Sequence, residues 1–237
     1  MKKKILIFIP SIEDGGVEKN LFIVSNYLNT NSFSVEILTC NFDKSKKFNN
    51  GIKFIGNKNN FWQKKNRKFK YLICLKILFF NLLFRKDKPL VFAFQANIYA
   101  VLVAKFLNTR VITRSNSAPA GWSKSSIKNT LYKLIIKLAD DVMVNSLAFK
   151  KSFKKQFHVN AKCIYNPFDK GFIKNNLRYN KSNTSFFRKD HLNIVSVGRL
   201  TDQKDHMTLL KAINLLSPDF KVRLVIVGKG AMKNNLQ

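Results

Sequence analysis

The sequence is poor in acidic residues. Its 237 residues contain 13 Asp and Glu but 43 Lys and Arg, so the formal net charge is +30 at pH 7. With no convincingly paired carboxylates among so few, general acid–base catalysis by a carboxylate dyad is poorly supported. The positive charge suits polyanions such as nucleotide phosphates, an anionic membrane or nucleic acid. A general enrichment in Lys, Asn, Phe and Ile explains it equally well.

Cysteine, histidine and long apolar runs are scarce too. Cys40, Cys74 and Cys163 form no CxxC pair, and the three histidines are scattered, so neither a disulfide framework nor a zinc site is indicated. The apolar run at residues 5–9 is too short for a signal peptide. The run at residues 71–84 is shorter than the ~20 residues that span a bilayer. We therefore expect a cytoplasmic protein.

Common catalytic motifs are also missing. The sequence has no GxSxG nucleophile elbow, no HExxH and no Walker A motif. Gly228-x-Gly230 does not complete a dinucleotide fingerprint, because Lys233 stands where the third glycine is needed. None of these motifs therefore identifies the function.

What the sequence does contain is an alternation of short apolar strands and helical patterns between residues 4 and 165. One example is the helix predicted at residues 127–138, whose one face carries Leu131, Leu134, Ile135 and Leu138. This alternation predicts a parallel sheet covered on both faces, and right-handed crossovers make it a Rossmann-like, doubly wound α/β domain.

The alternation stops in a polar, basic, Asn-rich stretch and resumes at residue 192. We predict a Rossmann-like N-terminal domain at residues 1–168, a linker at 169–191 and the start of a second Rossmann-like domain at 192–237. A single β-α-β unit leaves sheet edges and apolar faces uncovered. The second domain is therefore expected to be incomplete, or to pack on the first domain or on a partner.

Two interpretations are open for residues 61–84. The basic, aromatic run FWQKKNRKFK precedes the apolar run YLICLKILFFNLLF, and together they resemble a helix that lies on an anionic membrane. The alternative, which we favour, is an ordinary buried helix of a layered α/β domain with a solvated basic approach.

Two loops at the carboxyl ends of predicted strands carry residues suited to a phosphate. Gly15 and Gly16 precede a helix whose N-terminus offers free N–H groups, although plain turn chemistry explains them as well. Gly198 is followed by Arg199, which can form a forked hydrogen-bond pair, and Lys204 adds a point charge. Two solvated loop cations are the alternative to a diphosphate site.

Other polar residues follow predicted strands in the same way, and for most of them helix capping or turn formation is the favoured interpretation. Glu18 lies in the first turn of its helix, and Asp202 or Asp205 can cap the helix that follows. The loop residues of this kind are Asn116, Asn145 and Asn166.

In order along the chain, GGVEKN, DDVMVNS, CIYNPFD, IVSVGRLTDQKDHMTLLKAI and RLVIVGKGAMKNNL resemble the glycosyltransferases of the group 1 or family 4 class, which have the GT-B fold. The resemblance covers nearly the whole chain, and GRLTDQKDH is its most specific part. It implies two Rossmann-like domains facing each other across a cleft. It also implies that a sugar is transferred with retention from a nucleotide-diphosphate sugar, with no cofactor and no metal.

The resemblance also implies roles and partners. Arg199, Lys204 and Gly16 would bind the donor diphosphate, and the cleft would be lined by Gly15, Glu18, Asn116, Asn145, Asn166 and Gly198. The acceptor would be a lipid-linked or other glycan for a cell-surface polysaccharide, at the anionic inner face of the plasma membrane. The catalytic residue is not assigned.

The sequence departs from the family in two places. The acidic E-x7-E element and the base and ribose pocket are not among these residues, and the loop TRSNSAP has no His, with Asn116 nearest to that position. An alternative is therefore a noncatalytic, truncated remnant, or one half of a split transferase that binds a partner. A nucleic-acid-binding module is disfavoured, because most Phe residues fall at core-like positions.

Overall fold

The computed structural model describes residues 2–12, 15–56, 60–119, 122, 125–179, 186–216 and 220–236. They form two compact units, the first of residues Met1–Asp169 and the second of residues Lys170–Gln237. Both units are built from parallel strands and helices, so the predicted α/β class is confirmed.

The first unit contains the strands β1 (Lys3–Phe8), β2 (Phe33–Leu38), β3 (Lys53–Ile55), β4 (Leu90–Ala93), β5 (Val111–Ser115), β6 (Asp141–Val144) and β7 (Lys162–Cys163). Its helices are α1 (Gly16–Thr30), α2 (Asn60–Gln63), α3 (Arg67–Leu83), α4 (Asn97–Phe106), α5 (Ser126–Ile136) and α6 (Leu147–Phe157).

The seven strands form one parallel sheet in the order β3-β2-β1-β4-β5-β6-β7. In this register Ile5 of β1 lies between Val35 of β2 and Leu90 of β4. The chain therefore adds β2 and β3 on one side of β1 and then adds β4 to β7 on the other side, so the strand order reverses between β1 and β4. In open α/β sheets this reversal leaves a crevice at the carboxyl ends of the two strands, where ligands bind.

Alternating residues of the strands build two cores, one on each face of the sheet. On one face Leu6 and Phe8 pack in a buried cluster with Leu78 of α3, which α4, α5 and α6 extend. On the other face Ile7 packs with Leu21 of α1. A fully buried side chain of this kind stabilises the fold by ~1.5–3 kcal/mol relative to an exposed one, so the sheet is anchored from both sides.

Helix α3 begins at Arg67, inside the basic run and four residues before the apolar run at residues 71–84. The side chain of Asn66 accepts a hydrogen bond from the amide of Phe69, which caps the helix. Cys74, Leu78 and Leu82 on its inner face are buried. The favoured interpretation, a buried helix, is thus confirmed for one face of α3 only.

Helix α5 corrects a prediction about its apolar face. Ile135 and the neighbouring Ile136 are buried against the sheet, but Leu131, Leu134 and Leu138 are 52%, 58% and 52% exposed. The four predicted residues therefore do not share a buried face. Ile135 and Ile136, together with the partly buried Tyr132, anchor this helix in the core, and its leucine stripe stays in solvent.

Folding also brings together two cysteines that stand far apart in the sequence. The thiol sulfurs of Cys40, after β2, and Cys74, in α3, are 3.4 Å apart and buried, and both are free thiols. Their hydrogen bond lowers the pKa of Cys40 and, together with burial, raises that of Cys74. The pair joins α3 to the end of β2.

The second unit contains α7 (Lys170–Tyr179), β8 (Leu192–Val197), α8 (His206–Leu216) and β9 (Val222–Val227). The strands β8 and β9 pair in parallel. Helix α7 falls within the predicted linker, for which no helix was expected. Near the end of the chain, Asn234–Leu236 form a 3-10 turn.

Candidate functional site

In the second unit, Arg199 lies on the loop that follows β8. The amide of Gly198 donates to the carbonyl of Val227 at 3.0 Å, so the strand pairing continues up to this loop. Arg199 is exposed, and its Nη2 atom lies 3.5 Å from Oε1 of Gln203, at the limit of a hydrogen bond. Its guanidinium therefore keeps donors for another acceptor.

Lys204 belongs to the same loop. It ends the 3-10 turn Asp202–Lys204, and it is exposed. Its Cγ and Cδ atoms lie 3.6 Å from the point where a Cβ on Gly198 would stand, so its stem covers this glycine. The structure thus places both predicted cations on one loop at the carboxyl end of β8.

His206, the first residue of α8, was not among the predicted site residues. It is 5% exposed, and its Nε2 atom has no hydrogen-bond partner among the described residues. Nε2 lies 3.7 Å from the same point above Gly198. The sequence offered a signal in the His that directly follows Lys204-Asp205, but nothing in its spacing showed that it would be buried.

The predicted cap of α8 is Asp205. Its Oδ1 accepts from the amide of Thr208 at 3.3 Å, and its Oδ2 accepts from the Thr208 hydroxyl at 2.8 Å. This capping interpretation is confirmed, so Asp205 has a structural role at the start of the helix.

Gly228 and Gly230 have a structural role that the sequence did not reveal. A Cβ on Gly228 would lie 1.8 Å from the carbonyl oxygen of Gly198, and one on Gly230 would lie 2.1 Å from that of Leu200. The loops after β9 and β8 therefore touch backbone to backbone. This packing fixes the loop that carries Arg199.

A cavity of about 230 Å³ lies beside this loop, and its walls include Thr201, Asp202, Asp205, His206 and Met232. Two of these side chains are carboxylates. The negative charge of these two side chains would repel an anionic phosphate from this cavity.

In the first unit, a buried network holds the chain after β1. The amide of Ser11 donates to Oε1 of Gln95 at 3.2 Å, and the amide of Ile12 donates to Oδ1 of Asn41 at 3.1 Å. The Nζ atom of Lys70 donates to the same Asn41 oxygen at 3.2 Å. These bonds tie together the ends of β1, β2 and β4 at the reversal point of the sheet, and sequence spacing did not indicate them.

The glycines after β1 have different environments. Gly15 caps α1, and a Cβ on it would lie 2.9 Å from Oε2 of the buried Glu18. Gly16 is exposed, and a Cβ on it would meet nothing within 4 Å. Gly15 therefore makes room for a carboxylate, while the backbone at Gly16 is open to a ligand.

Arg114, near the end of β5, binds the loop that follows β7. Its buried guanidinium donates from Nη2 to Oδ1 of Asn166 at 2.9 Å and also reaches the carbonyl of Ile164. Burial lowers the pKa of Arg114. Asn166 is thus held by a charge-assisted hydrogen bond.

The remaining predicted residues lie along the same edge. Asn116 follows β5 and is half-buried, and Asn145 follows β6 with an Oδ1 atom that is buried and lacks a partner among the described residues. Ser146 beside it caps α6 by accepting from the amide of Phe149. Since all strands are parallel, Gly16, Asn116, Asn145 and Asn166 share the carboxyl edge of one sheet but are spread along it.

No protein-family model matches the chain. Comparison with solved structures shows the fold of GT-B glycosyltransferases. HepE of Anabaena, in complex with UDP and glucose, superposes with a TM-score of 0.64 at 15% identity over 98% of this chain and 63% of that chain. The lipopolysaccharide outer core galactosyltransferase WaaB, in its apo form, gives a TM-score of 0.60 at 16% identity over 99% of this chain and 63% of that chain.

A curated relative is named N-acetylgalactosamine-N,N'-diacetylbacillosaminyl-diphospho-undecaprenol 4-alpha-N-acetylgalactosaminyltransferase, from Campylobacter jejuni. It is 29% identical over 178 residues, which make up 68% of this chain and 47% of that protein. The chain thus spans about half the length of this relative.

Two further observations concern membranes and metals. No helix within the described ranges is both long and apolar enough to cross a membrane. Nor does this part of the chain bring three His, Cys, Asp or Glu side chains close enough together to hold a metal ion. The expectation of a metal-free reaction stays a prediction.

Proposed function

We propose that this chain belongs to a glycosyltransferase that transfers a sugar from a nucleotide-diphosphate sugar to a lipid-linked glycan acceptor. The observation that carries the proposal is the loop after β8, which holds the exposed cations Arg199 and Lys204 beside Gly198. The complexes of HepE with UDP support the donor, and the relative's name, which contains diphospho-undecaprenol, supports the acceptor.

The proposed reaction breaks the bond between the anomeric carbon and the donor phosphate oxygen. An acceptor hydroxyl forms the new bond to that carbon, and its proton leaves with the nucleoside diphosphate or to solvent. Negative charge grows on the departing diphosphate. Arg199, by forked hydrogen bonds, and Lys204, as a point charge, would stabilise that charge, and this lowers the barrier.

We extend the proposal to the remaining site residues. The open backbone at Gly16 would contact the donor diphosphate, and Gly15 and Glu18 would shape that loop. Asn116, Asn145 and Asn166, at the carboxyl edge of the first unit, would contact the sugar or the acceptor. We further propose family 4 membership, retention of the anomeric configuration and no need for a metal, which the motif GRLTDQKDH supports.

The place of action that we propose is the anionic inner face of the plasma membrane, with the chain bound peripherally. The net charge of +30 supports attraction to such a surface. The expectation that most phenylalanines lie in the core is wrong, because Phe69, Phe80, Phe84 and Phe106 are among those that are exposed. Nucleic acid is nevertheless not a proposed partner, since the relative's name points to a lipid-linked acceptor.

The first test is binding of UDP, GDP and inorganic diphosphate to the purified chain by calorimetry. We expect Arg199→Ala and Lys204→Ala each to weaken diphosphate binding at least tenfold, because each removes a charged hydrogen bond. Arg188→Ala is the matched control, an exposed arginine of the same unit before the amino end of β8. It should bind like the wild type.

Transfer is then measured with radiolabelled UDP-sugars and a polyprenyl-diphosphate-linked acceptor. Product formation that is lost in Arg199→Ala but kept in Arg188→Ala supports the proposal. If diphosphate binding is unchanged in both Arg199→Ala and Lys204→Ala, these residues do not hold the donor and the proposed site is wrong.

A second candidate is the binding of a partner without catalysis. The strands of the second unit favour it, because Val195, Val197 and Val227 remain exposed. No nucleotide binding, combined with self-association that Val197→Ser abolishes, would favour this role over transfer.

A further inference from the structure

The outer surfaces of α3, α4 and α5 expose many large apolar side chains, while their inner surfaces build the core of the first unit. On each helix the exposed side chains recur at three- and four-residue spacing, so they form stripes. The members are Phe69, Leu72, Phe80, Leu83 and Phe84 at α3, Tyr99, Leu102 and Phe106 on α4, and Ile127, Leu131, Leu134 and Leu138 at α5. We call them together the helical face.

The stripes belong to neighbouring helices of one layer. Helix α4 packs against α3 on one side and against α5 on the other. The ring of Phe106 on α4 stacks on that of Phe79 in α3 at 6.2 Å, and Phe80 stacks on Phe84 at 6.1 Å. An exposed apolar surface of this extent marks an interaction site rather than scattered surface residues.

The charges on these helices have one sign. The sequences of α3, α4 and α5 contain no Asp or Glu. Lys76 is exposed in the middle of the α3 stripe, and Arg67, Lys128 and Lys137 are exposed beside the stripes. A partner for this surface must therefore accept apolar side chains and bind cations at the same time.

We propose that the helical face docks on the surface of an anionic lipid bilayer. Its leucines and phenylalanines would enter the boundary between headgroups and acyl chains, and its lysines would reach the lipid phosphates with their stems along the apolar surface. A second copy of this chain fits less well, because two such surfaces would bring lysines against lysines. The basic, aromatic run at residues 61–70 is thus only one edge of a surface that extends to α5.

This inference rests on the proposed function for its biological purpose, since a lipid-linked acceptor is found at such a bilayer. Its physical basis does not depend on catalysis. Helices α4 and α5 begin after the carboxyl ends of β4 and β5, the sheet edge on which Asn116 and Asn145 lie. Docking through their outer surfaces would bring that edge near the headgroups.

The test is cosedimentation of the chain with vesicles of pure phosphatidylcholine and of phosphatidylcholine with 30% phosphatidylglycerol, with no donor or acceptor present. We expect binding to the anionic vesicles that falls with added salt. The double variant Leu131→Gln/Leu134→Gln should weaken it at least tenfold, and Lys128→Gln/Lys137→Gln should weaken it about threefold.

Matched controls lie outside the helical face. Leu147→Gln/Leu215→Gln changes two exposed leucines on α6 and α8, and Lys150→Gln/Lys151→Gln changes two exposed lysines on α6. Both should bind vesicles like the wild type. Equal losses in the test and control variants would overturn the proposal, because binding would then follow total charge or hydrophobicity.

Two further outcomes separate the alternatives. A wild-type dimer in light scattering that Leu131→Gln/Leu134→Gln converts to a monomer, without vesicle binding, would assign the face to a second copy and overturn the proposal. Arg199→Ala should bind vesicles normally. Vesicle binding without nucleotide binding would leave the docking surface standing while the proposed function fails.

Discussion

The two units use the same pattern of apolar strands and helices, but they bury it to different degrees. In the first unit the side chains of β1 and β2 lie between α1 on one face and α3 to α6 on the other, and most are buried. In the second unit every residue of β8 and β9 is exposed or half-buried. Strand sequence alone therefore does not show how deeply a strand is buried.

The difference follows from the number of neighbours that each strand has. Strand β1 pairs on both edges, whereas β8 and β9 pair only with each other among the described residues. A two-stranded sheet removes little apolar surface from water. Within the described part of the second unit, the buried residues are Leu200 and His206. Both follow the carboxyl end of β8, as Arg199 does.

The largest effect is expected where the second unit is tightly packed. Gly228→Ala places a methyl group 1.8 Å from a backbone oxygen of Gly198, which cannot rotate away. We expect the second unit to lose about 3 kcal/mol of stability. Hydrogen–deuterium exchange of the β8 and β9 amides measures this, since it reports on each unit separately.

Gly198→Ala is the control for that prediction. Its methyl group would meet the Lys204 stem at 3.6 Å, an ordinary contact, so exchange should change little. Equal acceleration of exchange in both variants would mean that the two loops do not depend on their close backbone contact.

The next effect contrasts the two sheets with one substitution. Val35 in β2 is 1% exposed and Val195 in β8 is 48% exposed. Val35→Ala should lower the free energy of unfolding of the first unit by about 2 kcal/mol, and Val195→Ala should lower that of the second by less than about 1 kcal/mol. Urea unfolding, monitored in each unit by hydrogen–deuterium exchange of its amides, measures the two free energies of unfolding. A Val195→Ala cost as large as that of Val35→Ala would show that β8 is covered in solution.

The smallest effect concerns one carboxylate in each unit. Burial raises the pKa of Asp140, but hydrogen bonds from Lys105 at 2.6 Å and from the amide of Val111 at 2.7 Å outweigh it, so the pKa is lowered. A lowered pKa stabilises the fold above the ordinary Asp value of ~3.9, and this contribution is lost as the pH falls through the folded-state pKa.

Asp140→Asn should therefore cost the first unit less than about 1 kcal/mol at pH 7 and nothing at pH 2. The hydrogen bond to His191 lowers the pKa of Asp190 in the second unit as well, but this carboxylate is fully exposed, so Asp190→Asn should have a smaller effect. The midpoints of urea unfolding of the wild type and of both variants, measured at pH 7 and at pH 2, test this prediction. A cost for Asp140→Asn that persists at pH 2 would point to packing instead of charge.

Much of this structure could be predicted from local sequence. The strands β2 to β7 lie within residues 4–165, where the alternation was predicted, and β8 begins at residue 192, where it was predicted to resume. The position of Arg199 and Lys204 after β8 followed in the same way, as did the cap at Asp205. Local pattern did not predict α7, because its sequence is polar and rich in Asn.

The parts that could not be predicted depend on distant residues. Gly228 and Gly230 looked like a failed nucleotide motif, and their contact with the loop after β8 requires both loops to be in place. The hydrogen bond from Arg114 to Asn166 joins residues that are 52 positions apart. Such contacts carry no local period, so a single sequence does not show them.

By itself, the sequence determined the order of the strands and of most helices, with α7 the exception, together with the loops at the carboxyl ends of the strands and the excess of positive charge, because these depend on neighbouring residues. Only the tertiary structure decided which surfaces are covered. It placed Cys40 beside Cys74, buried His206, and left Leu131 and Leu134 in solvent, since burial depends on which elements pack together and not on the period of any one of them.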